Sequence, residues 1–162
     1  MKVFGVVGWK DSGKTGLVER LVATFVKRGL TVSTVKHAHH DVDVDQAGRD
    51  THRHREAGAS EVLLATPRRW ALMHELRGAE EPSLEALLKT LSPADLVLVE
   101  GFKREGHAKI ETHRAVTGAD LLASADPTVR AIASDVPLQG VGRPVFRLDD
   151  TDAIAEFIIN AP

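Results

Sequence analysis

The chain has 162 residues, of which 43% are hydrophobic and 27% are charged, and its formal net charge is −2. This size and composition predict one globular domain, residues 1–162, and a charge so close to neutral gives no reason to expect a nucleic-acid or membrane partner. The chain has no cysteine, which excludes disulfides, thiolate metal sites and a cysteine nucleophile. Neither a signal peptide nor a run of roughly 18 apolar residues is found, so we expect a cytoplasmic protein.

The first third of the chain predicts a strand–helix–strand unit. Residues 3–7 are a short apolar run that ends at Gly8, which is typical of a buried strand. Apolar side chains at four-residue spacing then indicate one face of a helix, formed by Leu17, Leu21 and Phe25 together with Val18, Val22 and Val26. Gly29 suits the position just past this helix, and residues 30–35 predict a second strand that follows a right-handed crossover.

The middle of the chain predicts smaller elements. Residues 36–57 are polar and indicate an irregular loop followed by a short helix, which Gly58 ends. Residues 61–65 and 70–73 predict two strands that pair through the turn between them. Ser83 is a plausible N-cap for the next helix, whose apolar positions are Leu84, Leu87, Leu88 and Leu91.

The last third of the chain returns to buried strands. Residues 96–99 are apolar between two acids and predict a central parallel strand, with Asp95 at its start in a structural role. Residues 129–133 and 145–148 predict further strands, and a final helix begins near residue 149. Strands that alternate with helices predict an α/β fold, a three-layer, doubly wound and mostly parallel sheet.

The loop between the first strand and the first helix, GWKDSGKTG, matches the P-loop template Gly-x-x-x-x-Gly-Lys-Thr. Its glycines let backbone N–H groups point at phosphate oxygens, and the following helix adds its positive end. Lys14 would reach the β- and γ-phosphates and Thr15 would ligate Mg²⁺, which predicts a P-loop NTPase type of fold. The alternative is a plain strand–helix turn. The predicted nucleotide-binding residues are Gly8, Lys10, Asp11, Ser12, Gly13, Lys14, Thr15 and Gly16.

A P-loop needs a second acid for its metal, and Glu100 is the best candidate. It ends the strand at 96–99, and the carboxyl ends of strands in a doubly wound sheet face the same crevice as the P-loop. Glu100 would reach Mg²⁺ directly or through water, so we assign Lys14 and Glu100 as the catalytic pair and Thr15 and Glu100 as metal ligands. The alternative is a solvated carboxylate at a strand end.

The segment 36–45 is rich in histidine and aspartate and allows three interpretations. Imidazoles and carboxylates could bind Zn²⁺ or Ni²⁺ for delivery, although no pair shows rigid helical spacing. One aspartate, assigned to Asp43, could instead serve the nucleotide's metal, while Lys36 or a histidine contacts phosphate. The third interpretation is a solvated polar loop.

Two further groups of basic residues could face an anion. One group could bind a second anionic ligand or could form the solvent-exposed face of the short helix, and it consists of Arg49, Arg53 and Arg55. Lys103 and Lys109 are expected to face an anionic ligand at the edge of the sheet, and the alternative for their segment is an ordinary charged hairpin.

Five blocks of the sequence resemble one protein family. In chain order they are GWKDSGKT, KHAHHDVDVDQAGRDTHRHREAGA, VEGFK, KIETHR and AIASD. They lie between residues 8 and 135, and the long block at 36–59 is the most specific of them. In order and content they are similar to the molybdopterin-guanine dinucleotide biosynthesis protein B (MobB) family.

The resemblance implies a GTP-binding protein that uses Mg²⁺, has weak GTPase activity and forms a homodimer. It implies a partner in molybdenum cofactor biosynthesis, the MobA-type guanylyltransferase that joins GMP to molybdopterin, with molybdopterin as a further ligand. Ser134 and Asp135 match the block where we expect guanine recognition, because a carboxylate can accept from both guanine N1–H and the exocyclic amine. The sequence departs from the family's pattern at Gly16 and Ala108, where the family often has Thr and Pro. The usual guanine-recognition motif Asn-Lys-x-Asp is absent, so the preference for GTP over ATP depends on Asp135 and on the resemblance.

Two other functional classes compete with this one. A metallochaperone GTPase would carry Ni²⁺ or Zn²⁺ on His37, His39 and His40. A small-molecule kinase is the second, although the sequence has no obvious lid segment. Trp70 and Met73, beside the predicted strand pair, could contribute to a dimer interface.

Overall fold

The computed structural model describes residues 1–38 and 43–161. Its internal contacts divide the chain into two compact units, the larger formed by Met1–His37 and Leu88–Pro162 and the smaller by Ala38–Leu87. The prediction of one domain over residues 1–162 stays a prediction. In the part of the chain that is described, no helix has the length and apolar character needed to cross a membrane.

The described residues form eight strands, four α-helices and two short 3₁₀-helices. The strands are β1 (Lys2–Val7), β2 (Val32–Lys36), β3 (Glu61–Ala65), β4 (Trp70–His74), β5 (Leu96–Glu100), β6 (Lys109–His113), β7 (Val129–Ser134) and β8 (Val145–Arg147). The α-helices are α1 (Lys14–Lys27), α2 (Asp50–Glu56), α3 (Leu84–Thr90) and α4 (Thr151–Asn160), and the 3₁₀-helices are Ala115–Thr117 and Leu122–Ser124. Every strand and helix predicted from the sequence is present to within a few residues.

Six parallel strands form the sheet of the larger unit, in the order β2-β5-β1-β6-β7-β8. Strand β5 lies between β2 and β1 and all five of its residues are buried, which confirms the predicted central parallel strand. In register, Val6 lies beside Glu100 and Val7 beside Glu111. The carboxyl ends of β1, β5 and β6 therefore lie at one edge of the sheet, where the P-loop begins.

Helices α1 and α4 pack on one face of this sheet. The buried side chains of α1 include Leu17, Leu21 and Phe25, and those of α4 include Ile154 and Ile158. A second, smaller apolar cluster lies around Val7, Ala123, Val129 and Ile132. The sheet is thus flanked by helices, which confirms the predicted α/β architecture.

One side chain of the predicted apolar face of α1 does not lie in the core. Val18 is buried and Val22 is half-buried, but Val26 is 56% exposed. An α-helix turns about 100° per residue, so positions four apart shift by about 40° at each step. Successive members of this row therefore rotate away from the sheet and towards solvent.

Strand β6 is the main element that the sequence does not predict. The two interpretations of its segment are a group of lysines that face an anionic ligand and an ordinary charged hairpin. It runs parallel to β1 and β7 in the interior of the sheet. The Lys109 side chain is fully buried at its first residue, with its ammonium bonded to the Glu105 carbonyl and the Thr128 hydroxyl and 3.6 Å from Asp126. The expectation that Lys109 faces an anionic ligand is therefore wrong, since its buried ammonium is held by these groups of the protein.

The smaller unit contains α2 and an antiparallel pair formed by β3 and β4, as predicted. Leu63 lies opposite Leu72 and Ala65 opposite Trp70 in this pair. Gly58 follows α2 with a φ of 109°, a left-handed conformation that suits glycine at a helix end. The pair leaves several large apolar side chains exposed, namely Leu63, Leu64, Trp70 and Leu72.

Candidate nucleotide-binding site

The P-loop connects β1 to α1 and its backbone requires glycine at both ends. A Cβ atom on Gly8 would lie 2.5 Å from the Thr112 carbonyl oxygen, so no larger residue fits there. Gly13 has a φ of 98° and immediately precedes Lys14, the first residue of α1. The loop thus lies between a buried strand and a helix start, the context in which backbone N–H groups can surround phosphate.

Lys14 lies across this loop. Its ammonium donates to the carbonyl oxygens of Gly8 at 3.1 Å and Trp9 at 2.7 Å. Burial lowers the pKa of Lys14, and the nearby Lys103 lowers it further, whereas Glu100 and Asp11 act in the opposite direction. An anionic ligand beside Lys14 would favour the ammonium form and would raise this pKa again.

Thr15 and Glu100 lie together at the start of α1. The Thr15 hydroxyl donates to Glu100 Oε1 at 2.8 Å, and the Lys36 ammonium lies 3.4 Å from the same oxygen. Glu100 is only 8% exposed, and Lys36 is its register partner on β2. A hydroxyl beside a carboxylate is a donor set that suits Mg²⁺, so these residues fit the predicted metal.

A buried pair of hydroxyls ties the loop to the sheet. Ser12 Oγ and Thr112 Oγ1 are 2.7 Å apart, and the Thr112 hydroxyl also donates to the Val7 carbonyl at 3.2 Å. Ser12 is only 1% exposed, so its side chain faces β6. Sequence analysis identifies Ser12 as a residue of the P-loop. It does not identify Thr112, because it does not predict strand β6.

Lys10, Asp11 and Gly16 complete the predicted set of loop residues. Lys10 and Asp11 are exposed, while Gly16 lies on α1 near Arg20. Asp11 has a φ of 62°, an unusual conformation for a residue other than glycine. This conformation turns the backbone within the loop.

Trp9 connects the loop to two neighbouring segments. Its indole N–H donates to the Asp120 carbonyl at 2.8 Å, and the Lys103 ammonium lies 4.4 Å from the ring centroid. Because Lys103 also lowers the pKa of Lys14, its charge lies near the phosphate loop. A role for Lys103 towards an anionic ligand stays a prediction.

A cavity of about 890 Å³ lies beside the loop, at the carboxyl ends of β7 and β8. Ser134 and Asp135 line it, as does Arg114 from the end of β6. The Ser134 hydroxyl oxygen accepts from the Val136 N–H at 3.2 Å and lies 3.0 Å from His113 Nδ1. These hydrogen bonds stabilise the turn that follows β7. Asp135 is exposed, and its Oδ1 accepts from the Ala115 N–H at 2.9 Å.

The remaining predicted metal ligand, Asp43, lies in the smaller unit. Its carboxylate accepts from Arg55 at 2.9 Å, and this hydrogen bond lowers the pKa of Asp43. Arg55 also bonds to Glu75 at 2.6 Å and Asp45 at 3.3 Å, so three carboxylates surround its charge. The roles of Asp43 in metal binding and of Arg55 in anion binding stay predictions.

The histidines of the metal-delivery hypothesis are only partly described. The His37 ring stacks on Phe102 with 4.5 Å between the ring centroids. His39 and His40 lie outside the described residues. Within residues 1–38 and 43–161, no three or more histidine and acidic side chains form a group that could hold a metal ion.

Comparison with known proteins identifies the family. The model of the family "Molybdopterin guanine dinucleotide synthesis protein B", MobB, matches residues 3–135. This chain belongs to the MobB family. A MobB relative, the molybdopterin-guanine dinucleotide biosynthesis adapter protein of Escherichia coli (strain K12), is 39% identical over 156 residues, which are 93% of this chain and 87% of the relative. The Haemophilus influenzae protein of the same name is 39% identical over 98% of this chain and 88% of its own length.

The fold is also that of the MobB family. The crystal structure of the MobB homolog from Bacillus stearothermophilus aligns over 99% of this chain and 97% of its own, with 31% identity and a TM-score of 0.71. This likeness confirms the predicted P-loop NTPase type of fold and the family resemblance of the sequence. None of these relatives supports the metallochaperone alternative.

Proposed function

We propose that this protein is a GTP-binding adapter in molybdenum cofactor biosynthesis, which supports the attachment of GMP to molybdopterin. Membership of the MobB family and the names of its relatives support the biosynthetic role. The observation that carries nucleotide binding is the P-loop itself, with Lys14 across it and Thr15 bonded to Glu100. The proposal keeps the predicted cytoplasmic location, because GTP is a cytoplasmic metabolite.

The triphosphate would lie in the loop formed by residues 8–16. Lys14 would exchange its two carbonyl partners for phosphate oxygens, which favour the ammonium form more strongly. Thr15 would hold Mg²⁺ with Glu100 bound directly or through water, and the metal would supply charge neutralisation. Asp43 also stays a proposed metal ligand.

The base would lie in the cavity beside the loop. Asp135 is the proposed guanine contact, because a carboxylate can accept from N1–H and the exocyclic amine, and adenine cannot satisfy it. The Ala115 N–H already donates to Oδ1 and thereby orients the carboxylate towards the cavity. Ser134 supports this geometry through the turn that follows β7.

Hydrolysis of GTP by this site should be slow. Glu100 Oε1 accepts from Thr15 and lies 3.4 Å from the Lys36 ammonium, and the proposal assigns this carboxylate to Mg²⁺ and not to a base for water. P-loop catalysis depends on positioning and charge neutralisation, and the sequence offers no clear base to position the attacking water. Weak GTPase activity is therefore the proposal.

A homodimer is part of the proposal. Leu63, Trp70 and Leu72 share one face of the β3–β4 pair and are 59%, 66% and 49% exposed. An isolated two-stranded pair is marginally stable in water, and exposed apolar patches mark interaction sites. A second copy of this chain is the proposed occupant, while the MobA-type guanylyltransferase is the proposed functional partner.

The proposal is tested on purified protein and on protein recovered from cell extract. Calorimetry is expected to show Mg²⁺-dependent binding of GTP in preference to ATP. The tagged chain is expected to recover a guanylyltransferase from extract together with bound guanine nucleotide. Preferential ATP binding or the transfer of phosphate to a small molecule would contradict the proposal and favour a kinase.

A further inference from the structure

Three arginines line the cavity beside the P-loop, and two of them already have partners. Arg20 donates to the Thr151 hydroxyl at 2.9 Å and to the Leu148 carbonyl at 2.7 Å. Arg147 forms two hydrogen bonds with Asp149, at 3.0 and 2.8 Å. Arg114 differs, because its guanidinium makes no hydrogen bond or ion pair with any residue in the described ranges 1–38 and 43–161.

The unpaired guanidinium lies against the phosphate loop. A Cβ atom built on Gly13 would be 3.3 Å from Arg114 Nε and 3.4 Å from one of its terminal nitrogens. The absence of a side chain at Gly13 is what allows this close approach. Arg114 therefore presents its charge where the loop passes into α1.

The same stretch of backbone also contacts the proposed base-binding residue. The N–H of Ala115, the next residue along the chain, donates to Asp135 Oδ1. Arg114 thus approaches the loop glycine Gly13 and lines the same cavity as Asp135. A nucleotide that extends from the loop to Asp135 would run along this cavity, which Arg114 lines.

We propose that Arg114 binds the α-phosphate of the guanine nucleotide, an inference that rests on the proposed function. With the terminal phosphates in the loop and the base at Asp135, the α-phosphate and ribose must occupy the intervening space. A guanidinium presents several N–H donors in a plane and suits phosphate oxygens, and it stays charged at every physiological pH. In this arrangement Lys14 binds the terminal phosphates and Arg114 binds the α-phosphate.

The experiment compares Arg114→Ala and Arg114→Lys with the wild-type protein. The control is Arg130→Ala, which removes an exposed arginine on β7 that does not line the cavity. Affinities for GTP, GDP, GMP and guanosine are measured by displacement of a fluorescent GDP analogue. Phosphorus NMR of bound GDP supplies a readout for the α- and β-phosphates separately.

Arg114→Ala is expected to weaken GTP, GDP and GMP by a similar factor of about tenfold or more, the range for a charged hydrogen bond, and to leave guanosine unchanged. Arg114→Lys should recover part of the loss, and the α-phosphate resonance should shift more than the β. An equal loss for guanosine would overturn the inference in favour of base stacking. Unchanged affinities in Arg114→Ala would overturn it outright.

Failure of this inference is distinguishable from failure of the proposed function. If the wild-type protein binds no GTP, both are overturned. If it binds GTP and Lys14→Ala abolishes binding while Arg114→Ala does not weaken it, only the role of Arg114 is overturned.

Discussion

Thr15 and Glu100 are 85 residues apart in the chain, yet the hydroxyl of one donates to the carboxylate of the other at 2.8 Å. The contact arises because β1 and β5 are parallel neighbours, so that the loop after β1 begins at the same edge as the last residue of β5. Both groups are ligands of the kind that Mg²⁺ prefers. This hydrogen bond is the geometric basis of the proposed metal site.

Glu100→Gln tests that site. The amide oxygen can still accept from Thr15 but carries no charge for the metal, so affinity for GTP in the presence of Mg²⁺ should fall about tenfold or more. Affinity measured in a chelator should change much less. Equal losses with and without Mg²⁺ would contradict a metal role.

Asp95→Asn is the matched control for Glu100→Gln. Asp95 precedes the same strand at its opposite end and accepts from the N–H and hydroxyl of Thr31, at 2.8 and 2.7 Å. Its loss should lower the free energy of unfolding without altering the effect of Mg²⁺ on GTP binding. The two carboxylates thereby separate structural from nucleotide-linked roles.

Lys14→Ala should abolish GTP binding and leave the melting temperature of the free protein nearly unchanged, because the hydrogen bonds of the Lys14 ammonium to described residues go to two loop carbonyls. Lys27→Ala, at the exposed end of α1, is the control. Calorimetry measures the first effect and circular dichroism the second. Retained GTP affinity in Lys14→Ala would contradict the assigned site.

The affinity for GTP should also depend on pH through Lys14. Burial lowers the pKa of Lys14 in the free protein, and bound phosphate raises it again. Affinity should therefore fall as pH rises through the lowered pKa, and binding near and above that pKa should take up a proton. Titrations in two buffers of different ionisation enthalpy measure this uptake.

Acid should weaken the larger unit through His107. Burial, and secondarily the charge of Lys109, lower the pKa of His107 from 6.5 to about 4, and neither ring nitrogen has a hydrogen-bond partner in the described part of the chain. The unfolded chain thus binds more protons between these values, so stability falls as pH drops through this window. Urea unfolding should show a smaller loss between pH 7 and 5 in His107→Phe, which keeps a ring against Gly5.

His54→Gln is the control for that comparison, because His54 is an exposed residue of α2 in the smaller unit. Its variant should retain the wild-type dependence on pH. The same loss of stability in His107→Phe as in the wild type would show that His107 is not the group responsible.

The exposed face of β3 and β4 can be tested through the oligomeric state. Trp70→Ser and Leu72→Ser should shift the proposed homodimer towards monomer in sedimentation experiments, because each removes apolar area from the face. Val26→Ser removes an exposed apolar side chain from α1 and should leave the dimer unchanged. A wild-type protein that sediments as a monomer would contradict the proposed dimer.

The sequence alone was sufficient for elements whose signals are local. The P-loop is predicted because its glycines, Lys14 and Thr15 occur at the template's spacing within eight residues, between a strand and a helix. Helix α1 is predicted because its apolar side chains recur with the helical period. Glu100 followed from a simple rule, that parallel strands end at a common edge. None of these steps required knowing which distant residues meet.

Tertiary structure decided the rest. The charge of Lys109 favours a surface segment, yet Lys109 is buried with Asp126 and Thr128 as its partners. The buried Glu111 of the same strand accepts from the N–H groups of Leu122 and Ala123. Strand β6 also places Thr112 behind the P-loop. Arg114, the residue after this strand, lies beside the loop. A buried charge is tolerated only when its partners are present, and those partners come from segments that the fold brings together.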